Sequence, residues 1–550
     1  MKNTSCGHCH ENFQISEEDI EFYDKIKVPH PKRCPKCRLM RRLNERNARK
    51  LYKRKCDFSG KDIISQYHQD HTFPVYDQEI WWSDKWDAMD FGREYNFEES
   101  FFKQFIALRD VVPHFSTFVV GGTMENSDFT NCTGYLKNCY LIFESDYDED
   151  CYYSNVVKQC KDMMDCSICY NDELCYECSD CRDCYNLKYS QDCQNCQDGL
   201  FLYDCKSCKD CIGCINLRHK QYHIFNEEYS KEEYDKMKSK FDLETLKGIR
   251  ELYNQSQNFF KTQPHRHLHQ ENNQNSFGDH LYNSKNAFYC FDSKDLENCK
   301  YCVKLSLNVK SSMDYNSWGG KAELIYDSSA CGNDIYNLKF CSTCTSNLSN
   351  CEYCLQCTGC SDCFGCIGLK RKKYCILNKQ YSKEEYFDLV ERIKKHMTDL
   401  GEYGEYFPYE ACPFGYNESI AMDYYPLSKE EALQKGYKWT EKDATYEPSK
   451  YNVPIRIGDV PDSITEELLS CRDCDKNYKI ISTELEFYRK MRIPVPDKCP
   501  DCRHLDRMTK RNPKAFWDIK CEKCSQEIKT TFSPEDSKII YCDSCYKAIL

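Results

Sequence analysis

The stretch KNCYLIFESDYDEDCYYSNVV (residues 137–157) sets short β-favouring runs between Asp, Asn and Ser turns, and it is one of two copies. Lys137-Asn138-Cys139 up to Asp150-Cys151 matches Lys285-Asn286-Ala287 up to Asn298-Cys299. Asp183-Cys184-Tyr185-Asn186-Leu187-Lys188 matches Asp334-Ile335-Tyr336-Asn337-Leu338-Lys339. CKSCKDCIGCINL, from Cys205 to Leu217, matches CTGCSDCFGCIGL, from Cys357 to Leu369. Extended runs such as CYLIFES, CYYSNVV and GLFLYDC recur roughly every dozen residues, aromatic on one face. This predicts a mainly β chain with a duplicated, cysteine-rich parallel β-solenoid at its centre, although stacked hairpins would leave a similar trace. Each copy ends in a Tyr-Ser-Lys-Glu-Glu-Tyr segment, where Ser230 with Glu233 and Ser382 with Glu385 form capping boxes that open a helix.

Outward from the centre stand cysteine pairs. Cys6-x2-Cys9, 24 residues and Cys34-x2-Cys37 give four thiolates in two tight pairs, the arrangement that closes a tetrahedron around Zn²⁺. Cys471-x2-Cys474, 24 residues and Cys499-x2-Cys502 repeat the spacing, with Phe22-Tyr23 answered by Phe487-Tyr488 and Arg38 by Arg503. Cys521-x2-Cys524, 17 residues and Cys542-x2-Cys545 form a third module. Three structural zinc sites are expected. Cys56 sits where Cys521 sits, but Ser59-Gly60 follows it and no second pair appears near Asp77 to Ile80, so this fourth module reads as degenerate, with His68 and His71 read as solvent-facing loop histidines over replacement ligands.

The expected order is a ribbon and basic helix over 1–56, a degenerate ribbon with an aromatic helical segment over 57–124, and solenoid copy 1 over 125–253. A linker over 254–275, solenoid copy 2 over 276–400, a connecting segment over 401–469, and ribbons over 470–515 and 516–550 complete it.

The chain has 550 residues, 43 of them Cys and 42 Tyr, with net charge −12. The odd cysteine total and an N-terminus without an apolar run point to a reducing, cytoplasmic setting with thiols as ligands or packing groups. No run approaches a membrane span. The acidic balance argues against overall affinity for nucleic acid, yet Lys32 to Lys55 holds twelve Lys or Arg against one acid. Arg38, Arg41, Arg42, Arg46, Arg49, Lys53 and Arg54 recur mostly at helical spacing, which suits either a phosphate-reading helix or a basic face that is solvated or docked on the acidic centre. Trp81, Trp82, Trp86, Phe91, Tyr95 and Phe97 precede a helix around Phe101 to Leu108, and core packing is the favoured reading over base stacking.

Laying copy two on copy one puts Ala287 opposite Cys139, Tyr315 opposite Cys166, Ile325 opposite Cys175 and Ile335 opposite Cys184. A ligand cannot become Ile, whereas a buried thiol behaves as a small hydrophobe and can, so these cysteines read as core rungs. Cys205, Cys208, Cys211 and Cys214 do find cysteines opposite them, at Cys357, Cys360, Cys363 and Cys366. These two quartets are candidates for further metal, although the spacing misses the ferredoxin pattern by one residue. His265, His267 and His269 would share one face of a strand, or stand exposed in the linker.

The ribbon ends, with E-x2-F-Y, P-x-P and C-P-x-C-R, resemble the zinc-ribbon domain of bacteria. With WWSDKWDAMDFG, KNCYLIFESDYDEDCYY and CINLRHKQYHIFNEEYSKEEY, nearly the whole chain resembles an uncharacterised cysteine-rich zinc-ribbon family frequent in small-genome candidate-phyla bacteria. The resemblance implies ligand roles for Cys6, Cys9, Cys34, Cys37, Cys471, Cys474, Cys499 and Cys502. The class III CoA-transferase label that some of the family carry finds no α/β succession or Gly-rich loop here. No nucleophile–base pair, phosphate loop or HExxH is present. Two readings follow: a zinc scaffold that binds RNA, DNA or a protein partner, or an enzyme or thiol redox protein built on the solenoid.

Overall fold

The computed structural model describes residues 2–441 and 446–550. The chain forms two compact units that interleave its sequence: Met1–Phe118 with Leu268–Thr440, and Val119–His267 with Glu441–Leu550. The N-terminal ribbon thus belongs with the second solenoid copy and the C-terminal ribbons with the first. The sequential order expected from the repeats missed this crossing. Residues 442–445 of the expected connecting segment lie outside the described residues.

Both centres are parallel β-solenoids. In the first, Glu149 pairs with Lys161 and Lys161 with Glu173, a register of 12 residues per coil. Parallel bridges on all four sides of a coil carry the same step, Tyr140 to Tyr152, Phe143 to Asn155 and Asp146 to Lys158 among them. The chain turns a corner every third residue: φ is positive at Asn138, Leu141, Glu144 and Tyr147, then at Asp150, Tyr153 and Val156. Asn and Asp tolerate this left-handed conformation better than other L-residues, which explains why they punctuate the repeat. The residue after each corner faces inward, so Cys139, Ile142, Ser145 and then Asp148 occupy the four walls of one coil, all buried. C-x2-C is therefore the step from one wall to the next. The second solenoid has the same build with occasional 13-residue coils, as in Gly319 against Gly332.

Inward polar residues are satisfied by the next coil. The hydroxyls of Ser154 and Ser190 accept from the amides of Cys166 and Leu202 at 3.0 and 3.1 Å. Asp148 does the same for Cys160 at 2.9 Å, but its second carboxylate oxygen has no partner. Burial, aided by the nearby Cys139 and Asp146, pushes its pKa up to about 9, against the Cys160 amide and the Lys158 charge. The protonated form is the folded form. Its stabilising share is complete below the unfolded value near ~4 and is lost as pH rises towards 9, with a slope of about 1.4 kcal/mol per pH unit. Asp148→Asn should match the parent's melting temperature at pH 4 and exceed it at pH 8. Parallel melting profiles over that range would reject the buried-acid account.

Each solenoid closes alike. Gln221–Ile224 turns back on Glu227–Glu228, and Lys373–Ile376 on Lys379–Gln380. The helices Lys231–Lys238 and Lys383–Asp399 follow, each opened by its Ser/Glu capping box. The expected linker over 254–275 is not one: the helix Leu246–Lys261 runs through its start, burying Ile249, Leu252, Ser256 and Phe260 on one face, and Pro264–Arg266 pairs with Ile539–Tyr541. The aromatic segment packs: Trp81 is fully buried, and Phe101 meets Tyr353 and Phe364 at 5.1 and 5.3 Å between ring centroids.

Candidate metal centres

Three cysteine tetrads converge, Cys6/Cys9/Cys34/Cys37, Cys471/Cys474/Cys499/Cys502 and Cys521/Cys524/Cys542/Cys545, with all four sulfurs of each within 4.8 Å of one another. The Cys9–Cys34, Cys474–Cys499 and Cys524–Cys542 sulfurs each stand 3.8 Å apart. A metal–sulfur bond of about 2.3 Å gives a tetrahedron with edges of about 3.8 Å, so the tetrads have the size of a Zn²⁺ thiolate site. One ligand pair comes from a knuckle. The Cys6 amide donates to Glu11 O at 2.9 Å and the His10 amide to Cys6 O at 3.0 Å, with a left-handed residue at His10, Asp475 and Ser525 in the three modules. The other pair opens a helix. Cys34, Cys499 and Cys542 are the N-cap residues of Pro35–Asn44, Pro500–Thr509 and Asp543–Lys547, which puts Cys37, Cys502 and Cys545 in the first turn. In the knuckle, backbone amides favour the thiolate form. Burial raises the Cys521 thiol, and the amides of Cys542, Cys524 and Lys523 more than offset it, drawing it to about 6.

The helices that leave the tetrads are docked. In one unit Arg38 Nε donates to Asp314 at 3.0 Å, Arg42 Nη1 bridges Asp314 and Asp327 at 3.2 and 3.0 Å, and Arg41 meets Asp327 at 2.7 Å. In the other, Arg503 pairs with Asp165 at 2.9 Å, and Arg507 bridges Asp165 and Glu177 at 3.0 and 3.2 Å. The two clasps share one plan, with Arg38 and Arg42 answered by Arg503 and Arg507, while Asp506 stands at the place of Arg41. Since Tyr315 lies opposite Cys166 in the repeat, Asp314 lies opposite Asp165, and Arg38 stands over Tyr301 as Arg503 stands over Tyr153, at 5.4 and 5.0 Å from the ring centre. Tyr23 meets Tyr326 as Tyr488 meets Tyr176. Asp19 takes the place of Glu484: it binds Lys300 at 2.6 Å, whereas Glu484 accepts from Tyr153 at 2.9 Å.

This changes the picture of the basic stretch. The helix stops at Asn44, and Asn47 turns the chain by bonding the Lys50 amide and carbonyl at 2.8 and 2.7 Å. Arg46 and Arg49 therefore lie beyond the helix, and Lys53 and Arg54 lie on the strand Tyr52–Lys55. Arg38, Arg41, Arg42, Arg46 and Arg54 are buried, Arg49 is half-buried and Lys53 is exposed. Arg38, Arg41, Arg42 and Arg54 are held in ion pairs, Arg54 on Asp57 at 2.8 Å, and the stretch is not a continuous solvated face.

The solenoid quartets sit one thiol per wall. Among the described residues they do not form a group with all sulfurs within 4.8 Å. Their thiols donate to carbonyls nine residues on, Cys205 to Cys214 O at 3.5 Å and Cys214 to His223 O at 3.5 Å. Cys357 donates to Cys366 O at 3.5 Å, Cys360 to Leu369 O at 3.4 Å and Cys366 to Cys375 O at 3.3 Å. Cys211 and Cys363 likewise reach Lys220 O and Lys372 O, both at 3.8 Å, and Cys208 donates to Lys206 O at 3.4 Å. All 43 cysteines are free thiols. The three alternating histidines are not exposed: His265 bonds Phe260 O at 3.1 Å, His267 bonds Lys529 O at 3.0 Å, and His269 bonds Asp279. Near the degenerate module, His71 stacks on Phe73, and burial lowers its pKa to about 4.

No protein-family model matches the chain, and no curated protein matches it. The clasp acids Asp165, Glu177, Asp314 and Asp327 were missed in the sequence. The signal was there, since an acid falls at these places in both copies and an arginine follows the last cysteine of both ribbons.

Proposed function

We propose that this chain is a zinc-stapled interaction scaffold of a reducing, cytoplasmic compartment. Zinc suits all-thiolate tetrahedra of this size, and a chain with every thiol free suits a reducing setting. Among the described residues no helix is long and apolar enough to cross a membrane. The observation that carries the interaction reading is the internal repeat. Inward residues drift between the copies at some positions, as Cys184 against Ile335, and persist at others, as Leu187 against Leu338, while the outward Tyr185 and Tyr336 beside them are identical and 43% and 49% exposed. The flanking Asp183, Asn186, Asp334 and Asn337 occupy left-handed corners and so have a backbone reason to persist. The tyrosines have no packing reason, and exposed aromatic residues are the usual anchors of protein interfaces.

The test is a pull-down of tagged protein from a reducing lysate, with and without nuclease and at two salt concentrations. The scaffold reading expects nuclease-insensitive protein partners that are lost with Tyr185→Ala/Tyr336→Ala. Co-purified nucleic acid that falls away with salt would instead favour a phosphate-binding role. Partners unchanged by the double substitution would remove the tyrosines from the argument.

A further inference from the structure

The fold contains four ribbon knuckles of one geometry, and one of them has no tetrad. In the C-terminal ribbon the Cys521 amide donates to Gln526 O and the Ser525 amide to Cys521 O, both at 2.8 Å, with φ +61° at Ser525. The Glu522 amide donates to Ile540 O at 3.1 Å, and the Cys542 amide to the Cys521 sulfur at 3.3 Å. Residues 52–82 repeat every one of these bonds. Cys56 donates to Lys61 O and Gly60 to Cys56 O, both at 2.8 Å, with φ +71° at Gly60. Asp57 donates to Val75 O at 3.0 Å, and the Asp77 amide to the Cys56 sulfur at 3.2 Å. The hairpin Tyr52–Lys55/Asp62–Ser65 answers Trp517–Lys520/Glu527–Thr530, and Asp77 caps Gln78–Trp82 where Cys542 caps Asp543–Lys547. Matching the bonds puts Ser59 at the place of Cys524, Asp77 at that of Cys542 and Ile80 at that of Cys545.

We infer that residues 52–82 are a fourth ribbon that keeps the tetrahedral metal geometry of its backbone but folds without metal, a dormant site for a divalent d¹⁰ ion such as Zn²⁺. The inference rests on the zinc reading of the other three ribbons. Other contacts hold the loops that zinc would hold. The Asp57 carboxylate accepts from the Val75 amide at 2.6 Å and from Arg54 at 2.8 Å, tying the knuckle to the second loop. Val75–Tyr76 gains a strand partner in His114–Phe115. Phe73 packs on Tyr67 at 5.0 Å and on His114 at 4.2 Å, and Tyr67 on Phe414 at 5.3 Å. Trp81, at the place of Tyr546, is fully buried with its indole N–H on Pro113 O at 2.9 Å. Aromatic burial of this extent stabilises by several kcal/mol, which a small ribbon otherwise draws from its metal.

Two measurements on the full chain test this. Ser59→Cys/Asp77→Cys/Ile80→Cys should raise the zinc content by one ion per chain over the parent, measured side by side by elemental analysis. Ser59→Cys/Ile80→Cys, which keeps Asp77 as an oxygen ligand, should gain the same ion with weaker affinity. In the parent, stripping metal with a chelator should expose the amides of 2–15 and 517–530 to hydrogen exchange while those of 52–65 stay protected. Variants that melt like the parent yet gain no ion, or chelation that opens 52–65 along with the other hairpins, would overturn the dormant site. A parent with no zinc at all would overturn the zinc reading instead, and the step from parent to variant would still report on this site.

Discussion

Asp314→Asn is expected to lower the stability of the unit that contains it by about 3–5 kcal/mol, because it leaves Arg38 and Arg42 charged and buried with half their partners gone. Both guanidinium groups and the carboxylate are sealed from water, at 2%, 0% and 0% side-chain exposure. Burial works against the Arg38 charge, and Asp314, through its charge and its hydrogen bond, together with Tyr23 and Tyr326 more than offsets it. Asp327 is coupled to the same cluster. Burial raises its carboxyl, and Arg41, Arg42 and Arg38 together hold it below the usual carboxylate range. Its contribution is therefore present above the unfolded value near ~4 and is lost as pH falls through the depressed one. Five of the six tryptophans, at positions 81, 82, 86, 318 and 439, lie in this unit, so tryptophan fluorescence during urea unfolding reads it selectively. Arg38→Met/Arg42→Leu/Asp314→Leu should recover most of the loss, since apolar residues of similar volume remove the unpaired charges. Equal urea midpoints for Asp314→Asn and the parent would show that the clasp is solvated and not structural. Asp165→Asn should act on the other unit in the same way, through Arg503 and Arg507.

The two clasps also show where sequence reasoning reached and where it stopped. The solenoid was legible because its period, its Asn and Asp corners and its internal duplication are all local signals. The convergence of the ribbon cysteines into tetrads was legible because a tetrahedral thiolate site would fix their spacing. What the arginines would face was not legible: a basic run next to a knuckle reads alike whether it meets phosphate or a buried aspartate 272 to 342 residues away. The pairing of the first ribbon with the second solenoid copy is a long-range choice of the same kind. The linker was misread because its polar residues, Gln255, Asn258 and Lys261, occupy the solvent face of a helix whose apolar face is spaced at Ile249, Leu252, Ser256 and Phe260. In the solenoid the C-x2-C spacing misleads in the other direction. A period of three residues per wall generates the same C-x2-C spacing as a zinc knuckle, and what separates the two is the helix that opens at the second pair of each ribbon.

Cys499→Ser should remove one zinc ion per chain and unfold more than its own ribbon. Cys499 is a ligand candidate, and it is also the N-cap of the helix that carries Arg503 and Arg507 into the first solenoid. Structural zinc contributes about 10–16 kcal/mol to small thiolate domains, comparable with the whole stability of a typical fold at about 5–15 kcal/mol, so the module has little left to hold it when the metal goes. The helix would then lose its start, and Asp165 and Glu177 would lose their cations. The expected result is zinc content lower by one, a lowered melting transition, and new protease cleavage within 469–509. Hydrogen exchange should also rise in the coils around Asp165, which a purely local lesion would leave unchanged. Cys545→Ser is the comparison. It removes a ligand from the third tetrad, whose helix Asp543–Lys547 carries neither clasp arginine, so zinc should again fall by one with little change around Asp165. A Cys499→Ser protein that keeps the parent's zinc content and melting temperature would refute the metal role of this tetrad. One that loses zinc but leaves exchange around Asp165 untouched would separate the metal from the clasp.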